Sequence, residues 1–167
     1  IMLGSHDLAL ELLAEQLKEQ HALELLSFSV GSLDGLVAMR QGMTHLTGCH
    51  LVDVDSGEYN LPYVRHFFPD QDVILVTLAE RIQGLMIVPG NPLGIRGLPD
   101  LLRPDITLAN RNRGSGTRLW LDRQLRLLGQ DPAQIGGYGT ERRTHTASAR
   151  AVLSGEADTA LGLEAAA

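Results

Sequence analysis

Cysteine and lysine are both scarce in this chain, which holds one of each, Cys49 and Lys18. A single cysteine excludes an intramolecular disulfide and fits a reducing compartment, so we expect a cytoplasmic protein. Long apolar runs are lacking too. No stretch is long enough to span a bilayer, and no signal-peptide pattern is present. The sequence therefore predicts no membrane contact.

The scarcity of lysine leaves a positive charge that is almost entirely guanidinium. Residues 1–82 carry 12 acids and 4 Lys/Arg, a net charge of −8, whereas residues 83–167 carry 8 acids and 10 arginines, a net charge of +2; the sum is the −6 of the whole chain. An acidic first half argues against a nucleic-acid surface there. The arginines of the second half are spread over several elements, which favours a pocket over direct contact with nucleic acid.

What the chain does contain is an alternation of short apolar runs and amphipathic segments. Its 167 residues, 44% apolar and 20% charged, fit one soluble domain or two small lobes. Strands alternating with helices predict the α/β class with mainly parallel sheets. The predicted strands cover residues 1–3, 23–30, 44–51, 73–79, 85–88, 106–109 and 157–163. Four helices are predicted. The first contains Leu10 to Leu17, the second begins at Gly31-Ser32, the third follows the 110–118 loop and ends at Leu128, and the fourth covers residues 144–153.

The most informative stretch is Asn-Arg-Asn-Arg-Gly-Ser-Gly-Thr-Arg at residues 110–118, between a predicted strand and a predicted helix. Glycines permit a tight turn there, Ser115 or Thr117 can cap the helix, and the helix start attracts anions through its free N–H groups and dipole. The arginines add permanent charge. We interpret the stretch as an anion site. The alternative is a glycine-rich turn whose arginines pair with surface acids.

Catalytic and metal sites find little support. Cys49 beside His50 could form a nucleophile pair, but no base and oxyanion hole complete it. Residues 114–117 lack the lysine of a nucleotide-binding loop. The histidines have no metal-ligand spacing, and we expect His45 in the core. We therefore predict a protein that is not an enzyme and has neither metal nor cofactor.

Several ordered runs resemble a known family. They are Gly-Ser-His-Asp (4–7), Gly-Ser-Leu-Asp-Gly-Leu (31–36), His-Leu-Thr-Gly-Cys-His-Leu-Val-Asp (45–53), Gly-Glu-Tyr-Asn (57–60), Gln-Gly-Leu (83–85), Gly-Asn-Pro (90–92), residues 110–118 and Thr-His-Thr-Ala (144–147). The chain resembles the periplasmic-binding-protein-like domain attached to MoeA-type molybdopterin-biosynthesis proteins and to helix-turn-helix regulators. It is similar more distantly to LysR-type effector domains and molybdate-binding proteins.

The resemblance implies a type II fold, with two α/β lobes of mainly parallel sheets around a ligand cleft. Lobe I would cover residues 1–82, lobe II residues 83–163, and residues 164–167 would start a return crossing. Domains of this kind continue past that crossing to complete the first lobe, so we expect lobe I to be unfinished here. We also expect protein to precede Ile1, which reads as the middle of a strand.

In such a fold, ligands bind where strands end and helices begin. The ligand-binding residues that the resemblance implies in lobe I are Ser5, His6, Gly31, Ser32, His50 and Tyr59. Those in lobe II are Asn110, Arg111, Arg113, Gly114, Ser115, Gly116, Thr117, Arg118, Glu141, Thr144 and His145.

The function implied is binding or sensing of a small anion by one domain of a larger protein, either a regulator or a molybdenum-cofactor biosynthesis protein. The ligand would be an oxyanion such as molybdate or tungstate, or a small organic acid. The alternative is an accessory domain that itself takes part in metal or pterin transfer. A covalently attached DNA-binding or MoeA-type domain and a homodimer are further expectations from the resemblance.

Overall fold

The computed structural model describes residues 1–5, 7, 9–53 and 55–167. Over these residues the chain is a mixed α/β protein whose strands and helices largely alternate. The strands are β1 (Met2–Gly4), β2 (Ser27–Ser29), β3 (Gln83–Ile87), β4 (Leu108–Arg111), β5 (Glu141–Arg142) and β6 (Thr159–Leu163). The helices are α1 (Ala9–His21), α2 (Ser32–Arg40), α3 (Leu61–Phe67), α4 (Gly116–Leu127) and α5 (His145–Leu153).

The chain divides into two compact units. The first unit contains residues 1–80 together with Gly114–Gly116, and the second contains residues 81–113 and 117–167. Three residues of the glycine-rich stretch therefore belong to the first unit, although the residues on both sides of them in the chain belong to the second.

In the first unit, β1 lies between two parallel neighbours. It pairs with β2 in the register Met2↔Ser27, and a parallel bridge joins Met2 to Leu46. Helix α2 packs closely on β1, because a Cβ added at Gly35 would lie 2.7 Å from the Cα of Gly4. Parallel neighbours end at the same edge, so the residues after β1, after β2 and after the segment around Leu46 meet there.

The second unit is a four-stranded sheet in the order β3-β6-β4-β5. β4 is parallel to β5 and β6, whereas β3 is antiparallel to β6. Alternation along the strands divides the core into two clusters. Leu108 and Leu161 pack with Leu121 and Leu125 of α4, while their neighbours Ala109 and Ala160 pack with α5 on the other cluster. Each fully buried leucine stabilises the fold by about 1.5–3 kcal/mol.

Helix ends agree with the sequence pattern, because Gly42, Gly129 and Gly155 follow α2, α4 and α5 with positive φ angles of 71°, 65° and 76°. Such angles suit glycine, so each residue ends its helix. Among the described residues, no helix is long and apolar enough to cross a membrane.

Four expectations about local structure are wrong. The predicted strand at 44–51 is reduced to an isolated bridge at Leu46. Residues 73–79 form no strand and are largely exposed, with Ile74 at 90% and Val76 at 74%. The predicted strand at 23–30 shortens to Ser27–Ser29. His45 is exposed rather than in the core. The sequence pattern also missed α3, whose first turn contains Pro62, a favourable position for proline.

Candidate functional site

The carboxyl end of β1 and its neighbours forms one polar edge of the first unit. The Ser5 amide donates to the Gly48 carbonyl at 2.8 Å, and the Gly31 amide donates to the Gly4 carbonyl at 3.0 Å. These bonds bring Ser5 and the start of α2 to the same edge. Ser5 itself is buried.

Ser32 holds the next position along this edge. Gly31 precedes α2 with a φ of 102°, and Ser32 is the first helical residue, fully buried at 0% exposure. Its hydroxyl accepts a hydrogen bond from the His50 amide at 3.3 Å and does not cap α2. Ser32 therefore ties the helix start to the segment that carries His50.

The Gly114–Gly116 segment completes the set. The Leu33 amide donates to the Gly114 carbonyl at 3.3 Å, so the segment is attached to the first turn of α2. Gly116 lies so close to His50 that an added Cβ would overlap with the His50 carbonyl oxygen and ring. Gly114 has a φ of +78°. Glycine is required at both positions, at Gly114 for its backbone angle and at Gly116 for space.

These residues form what we call the serine-histidine site, defined as Ser5, Ser32, His50 and Gly114–Gly116. All belong to the first unit. The polar side chains Ser5, Ser32, His50 and Ser115 are buried, and α4 begins at Gly116. Buried hydroxyls, an imidazole and a helix N-terminus are hydrogen-bonding groups that suit a small anion.

Thr117, the second residue of α4, is 1% exposed, and its Oγ1 has no hydrogen-bond partner among the described residues. A buried hydroxyl without a partner is costly, since it loses its hydrogen bonds to water.

Arg111 lies in the second unit and is 2% exposed. Its guanidinium donates to the Arg142 carbonyl at 3.0 Å and to the Arg143 carbonyl at 2.8 Å, and it lies 2.9 Å from His145 Nε2. Nε2 accepts this bond, so the proton of a neutral imidazole lies on Nδ1. Burial lowers the pKa of Arg111 to about 10. The guanidinium therefore joins β4 to the start of α5.

Arg118 belongs to a second internal network. It donates to Asp122 at 2.9 Å and lies 4.0 Å above the ring of Tyr138, whose hydroxyl donates to the same carboxylate at 2.5 Å. Burial, and then this bond to Asp122, raises the pKa of Tyr138. Sequence reasoning did not select Asp122 or Tyr138. The Arg118–Asp122 spacing of four residues on one helix was the available signal.

The remaining predicted residues of the second unit have local roles. The Asn110 side chain donates to the Tyr138 carbonyl at 3.0 Å. Thr144 caps α5 by accepting from the Ala147 amide at 3.0 Å. The Arg113 side chain is 87% exposed, and its Nε lies 3.6 Å from Glu141.

Two further predicted residues, Tyr59 and His6, are not part of the serine-histidine site as defined. Tyr59 is exposed and pairs with Val52 in an isolated bridge. His6 lies outside the described residues. Cys49 is half-buried, and burial raises its pKa, which lowers the fraction of reactive thiolate. Within the described ranges, no cluster of three or more metal-ligand side chains is present.

Comparison with known proteins gives the family. The family model described as PBP superfamily domain matches residues 14–167. The chain is 38% identical over 167 residues to "Uncharacterized protein YvgK" of Bacillus subtilis (strain 168), an alignment that covers 100% of this chain and 54% of that protein. The chain thus spans about half the length of the curated relative it matches. No solved structure matches it. From its fold and this match, the chain belongs to the PBP superfamily domain family.

Proposed function

We propose that the serine-histidine site binds a small anion and that the chain is a ligand-binding domain rather than an enzyme. The observation that carries the proposal is the contact of Ser32 and Gly116 with the same residue, His50. This contact places buried hydroxyls and an imidazole beside the first residue of a 12-residue helix. An anion there would accept hydrogen bonds from groups that are already held in position.

A tetrahedral oxyanion such as molybdate or tungstate suits this site better than an organic acid. The guanidinium groups of Arg111 and Arg118 donate to protein atoms of the second unit. The donors of the serine-histidine site are hydroxyls, amides and an imidazole, which can hold an oxyanion through several single hydrogen bonds. A carboxylate ligand would gain most from a forked arginine contact.

The role of the domain within a larger protein is proposed from the resemblance in sequence. We infer that the domain reports the anion within a larger protein, a regulator or a molybdenum-cofactor biosynthesis protein, and that it has a type II arrangement. Small-angle scattering with and without ligand tests this last inference. A type II domain should contract on binding, and an unchanged radius of gyration at saturation would argue against it.

The ligand class is tested by a thermal-shift screen with molybdate, tungstate, sulfate, phosphate and a set of small organic acids. A ligand at about 100 times its dissociation constant stabilises the folded state by roughly 2.7 kcal/mol. For a chain of this size that corresponds to a rise in Tm of about 5–10 °C. We expect the rise with molybdate or tungstate. A rise with organic acids alone would reject the oxyanion assignment.

A further inference from the structure

Strand β3 forms one edge of the four-stranded sheet in the second unit. The strand order β3-β6-β4-β5 leaves it with β6 as its single neighbour among the described residues. The strand at the other edge, β5, has two residues, Glu141 and Arg142, and both are charged. Short length and charge are two ways in which proteins protect a sheet edge from pairing with another chain. β3 has five residues and no charge, so it lacks the protection that β5 has.

The free backbone groups of β3 belong to alternate residues. The Glu164 amide donates to the Ile82 carbonyl at 3.0 Å, and the antiparallel register runs on from this pair to the end of β3. In such a ladder every second residue is hydrogen-bonded to the neighbouring strand, so the even-numbered residues of β3 face β6. The N–H and C=O groups of Gln83, Leu85 and Ile87 point the other way. Over the described ranges of the chain, no hydrogen bond to these groups is present.

The side chains of the same residues lie on the face of the sheet that α4 covers. Leu85 and Ile87 pack against the core cluster of that face, and with Leu98 and Trp120 they line a mainly apolar cleft of about 320 Å³. A sheet edge that combines free backbone groups with apolar side chains is the surface to which another strand can be added. The backbone groups would supply hydrogen bonds, and the apolar side chains would supply buried area.

The outward groups are arranged symmetrically, which favours a second copy of the chain as the added strand. A two-fold axis through Leu85, perpendicular to the sheet, places Leu85 opposite Leu85 of the second copy and Gln83 opposite Ile87. Each facing pair exchanges two hydrogen bonds, so the contact forms about six. The same surface serves both copies, as in the commonest kind of dimer. Pro89 has no N–H, so it cannot extend the ladder beyond β3.

We propose that two copies of the chain associate through antiparallel pairing of their β3 strands, which joins the two four-stranded sheets into one of eight strands. Five residues from each copy form a small interface, so the association is weak and reversible. The proposal is independent of the anion site, because all residues of the serine-histidine site belong to the first unit.

Sedimentation velocity of the original chain over about a hundredfold range of concentration tests the association. We expect the average mass to rise toward twice that of the chain as the concentration increases. Gly84→Lys should weaken the association about tenfold or more, because it puts a like charge on both strands of the pair. Gly84 is exposed, and no atom of the described residues, beyond its two chain neighbours, lies within 4 Å of an added Cβ. The lysine therefore fits the folded chain.

Gly139→Lys is the matched control. Gly139 is also exposed with open space around an added Cβ, and it lies in the segment just before β5, at the other edge of the sheet. It should leave the association unchanged. A chain that stays monomeric over the whole range, or equal association in Gly84→Lys and Gly139→Lys, would overturn the proposal. So would loss of association in Ile74→Lys with Val76→Glu alone, which would assign the contact to the exposed residues 73–79.

The register is tested by cross-linking in a Cys49→Ala background, which removes the single natural thiol. Facing residues of a hydrogen-bonded antiparallel pair have Cα atoms about 5.5 Å apart, a distance that a disulfide can span. Leu85→Cys should therefore form a disulfide-linked dimer on mild oxidation. Ile87→Cys should not, because Ile87 faces Gln83 of the second copy. Equal cross-linking of the two variants, or none in Leu85→Cys, would overturn the pairing whatever the outcome for the oxyanion site.

Discussion

At the scale of single residues, Arg111 lies beside the glycine-rich loop as the sequence indicates, but its hydrogen-bond partners differ from the predicted ones. The sequence indicates a guanidinium beside a glycine-rich helix start. The structure directs it to the Arg142 and Arg143 carbonyls and to His145 in the second unit. A predicted anion contact thus has a structural role in this geometry, because a buried guanidinium needs several acceptors held in one plane.

Arg111→Lys should lower the free energy of unfolding by about 2 kcal/mol or more. Lysine presents one ammonium instead of a fork and leaves at least one buried acceptor unpaired. Urea unfolding measures the change. Arg113→Lys is the control, since that side chain is 87% exposed and its substitution should change the value by less than about 0.5 kcal/mol. Equal effects of the two substitutions would refute the structural role.

Gly116→Ala tests the close approach of Gly116 to His50. A methyl group there overlaps with the His50 backbone and ring, so the helix start must shift. We expect a loss of about 1–3 kcal/mol in unfolding free energy, together with weaker binding of any anion at the site. Gly139→Ala should be nearly neutral, because no atom of the described residues, beyond its two chain neighbours, lies within 4 Å of its added Cβ. A neutral Gly116→Ala would show that the contact is absent in solution.

Cys49 should behave as a slow thiol. Burial raises its pKa, so the folded chain carries less thiolate than the unfolded chain as pH rises through the ordinary thiol pKa. Alkylation by iodoacetamide at pH 8 should therefore be slower in the folded chain than in urea, and its rate should increase toward higher pH. A folded-state rate above that of free cysteine would instead favour a nucleophile at this position.

At the scale of elements, residues 73–79 are the clearest failure of sequence reasoning. Val-Ile-Leu-Val-Thr-Leu-Ala has strong strand propensity, yet a strand forms only where another strand accepts its hydrogen bonds. Within the described residues the segment pairs with none. Strand propensity could not indicate that residues 73–79 stay unpaired, because propensity is a local property and pairing depends on a second strand elsewhere in the chain.

Ile74→Lys with Val76→Glu should leave the unfolding free energy within about 0.5 kcal/mol, because both side chains are mostly exposed. The same pair should reduce aggregation on heating, since it interrupts an uncharged, β-prone run. Light scattering during a thermal ramp measures this. A large loss of stability would indicate that the segment is packed in solution.

Helices were more predictable than strands, for a physical reason. The apolar spacing in α4 and α5 and the terminating glycines act locally, within one or two turns of the helix that they define. The serine-histidine site was predicted in part, since helix starts after strands are visible in sequence. Its contact between Gly116 and His50 was not, because it joins residues 66 positions apart.

At the scale of the whole molecule, the chain belongs to the PBP superfamily domain family and divides into two compact units. The polar residues are arranged differently in the two units. In the first unit they gather at the edge of a parallel sheet. In the second, arginines and their acceptors connect strands to helices around a packed core.

The most direct test of the central claim is a calorimetric titration of the chain with the oxyanion that gives the largest thermal shift. The original chain, Ser32→Ala and Ser27→Ala would be compared, since Ser32 is buried at the site and Ser27 is an exposed serine of β2 in the same unit. We predict one binding event, weakened about tenfold or more by Ser32→Ala and unchanged by Ser27→Ala. Equal affinities in all three proteins would contradict an anion site at Ser32 and His50.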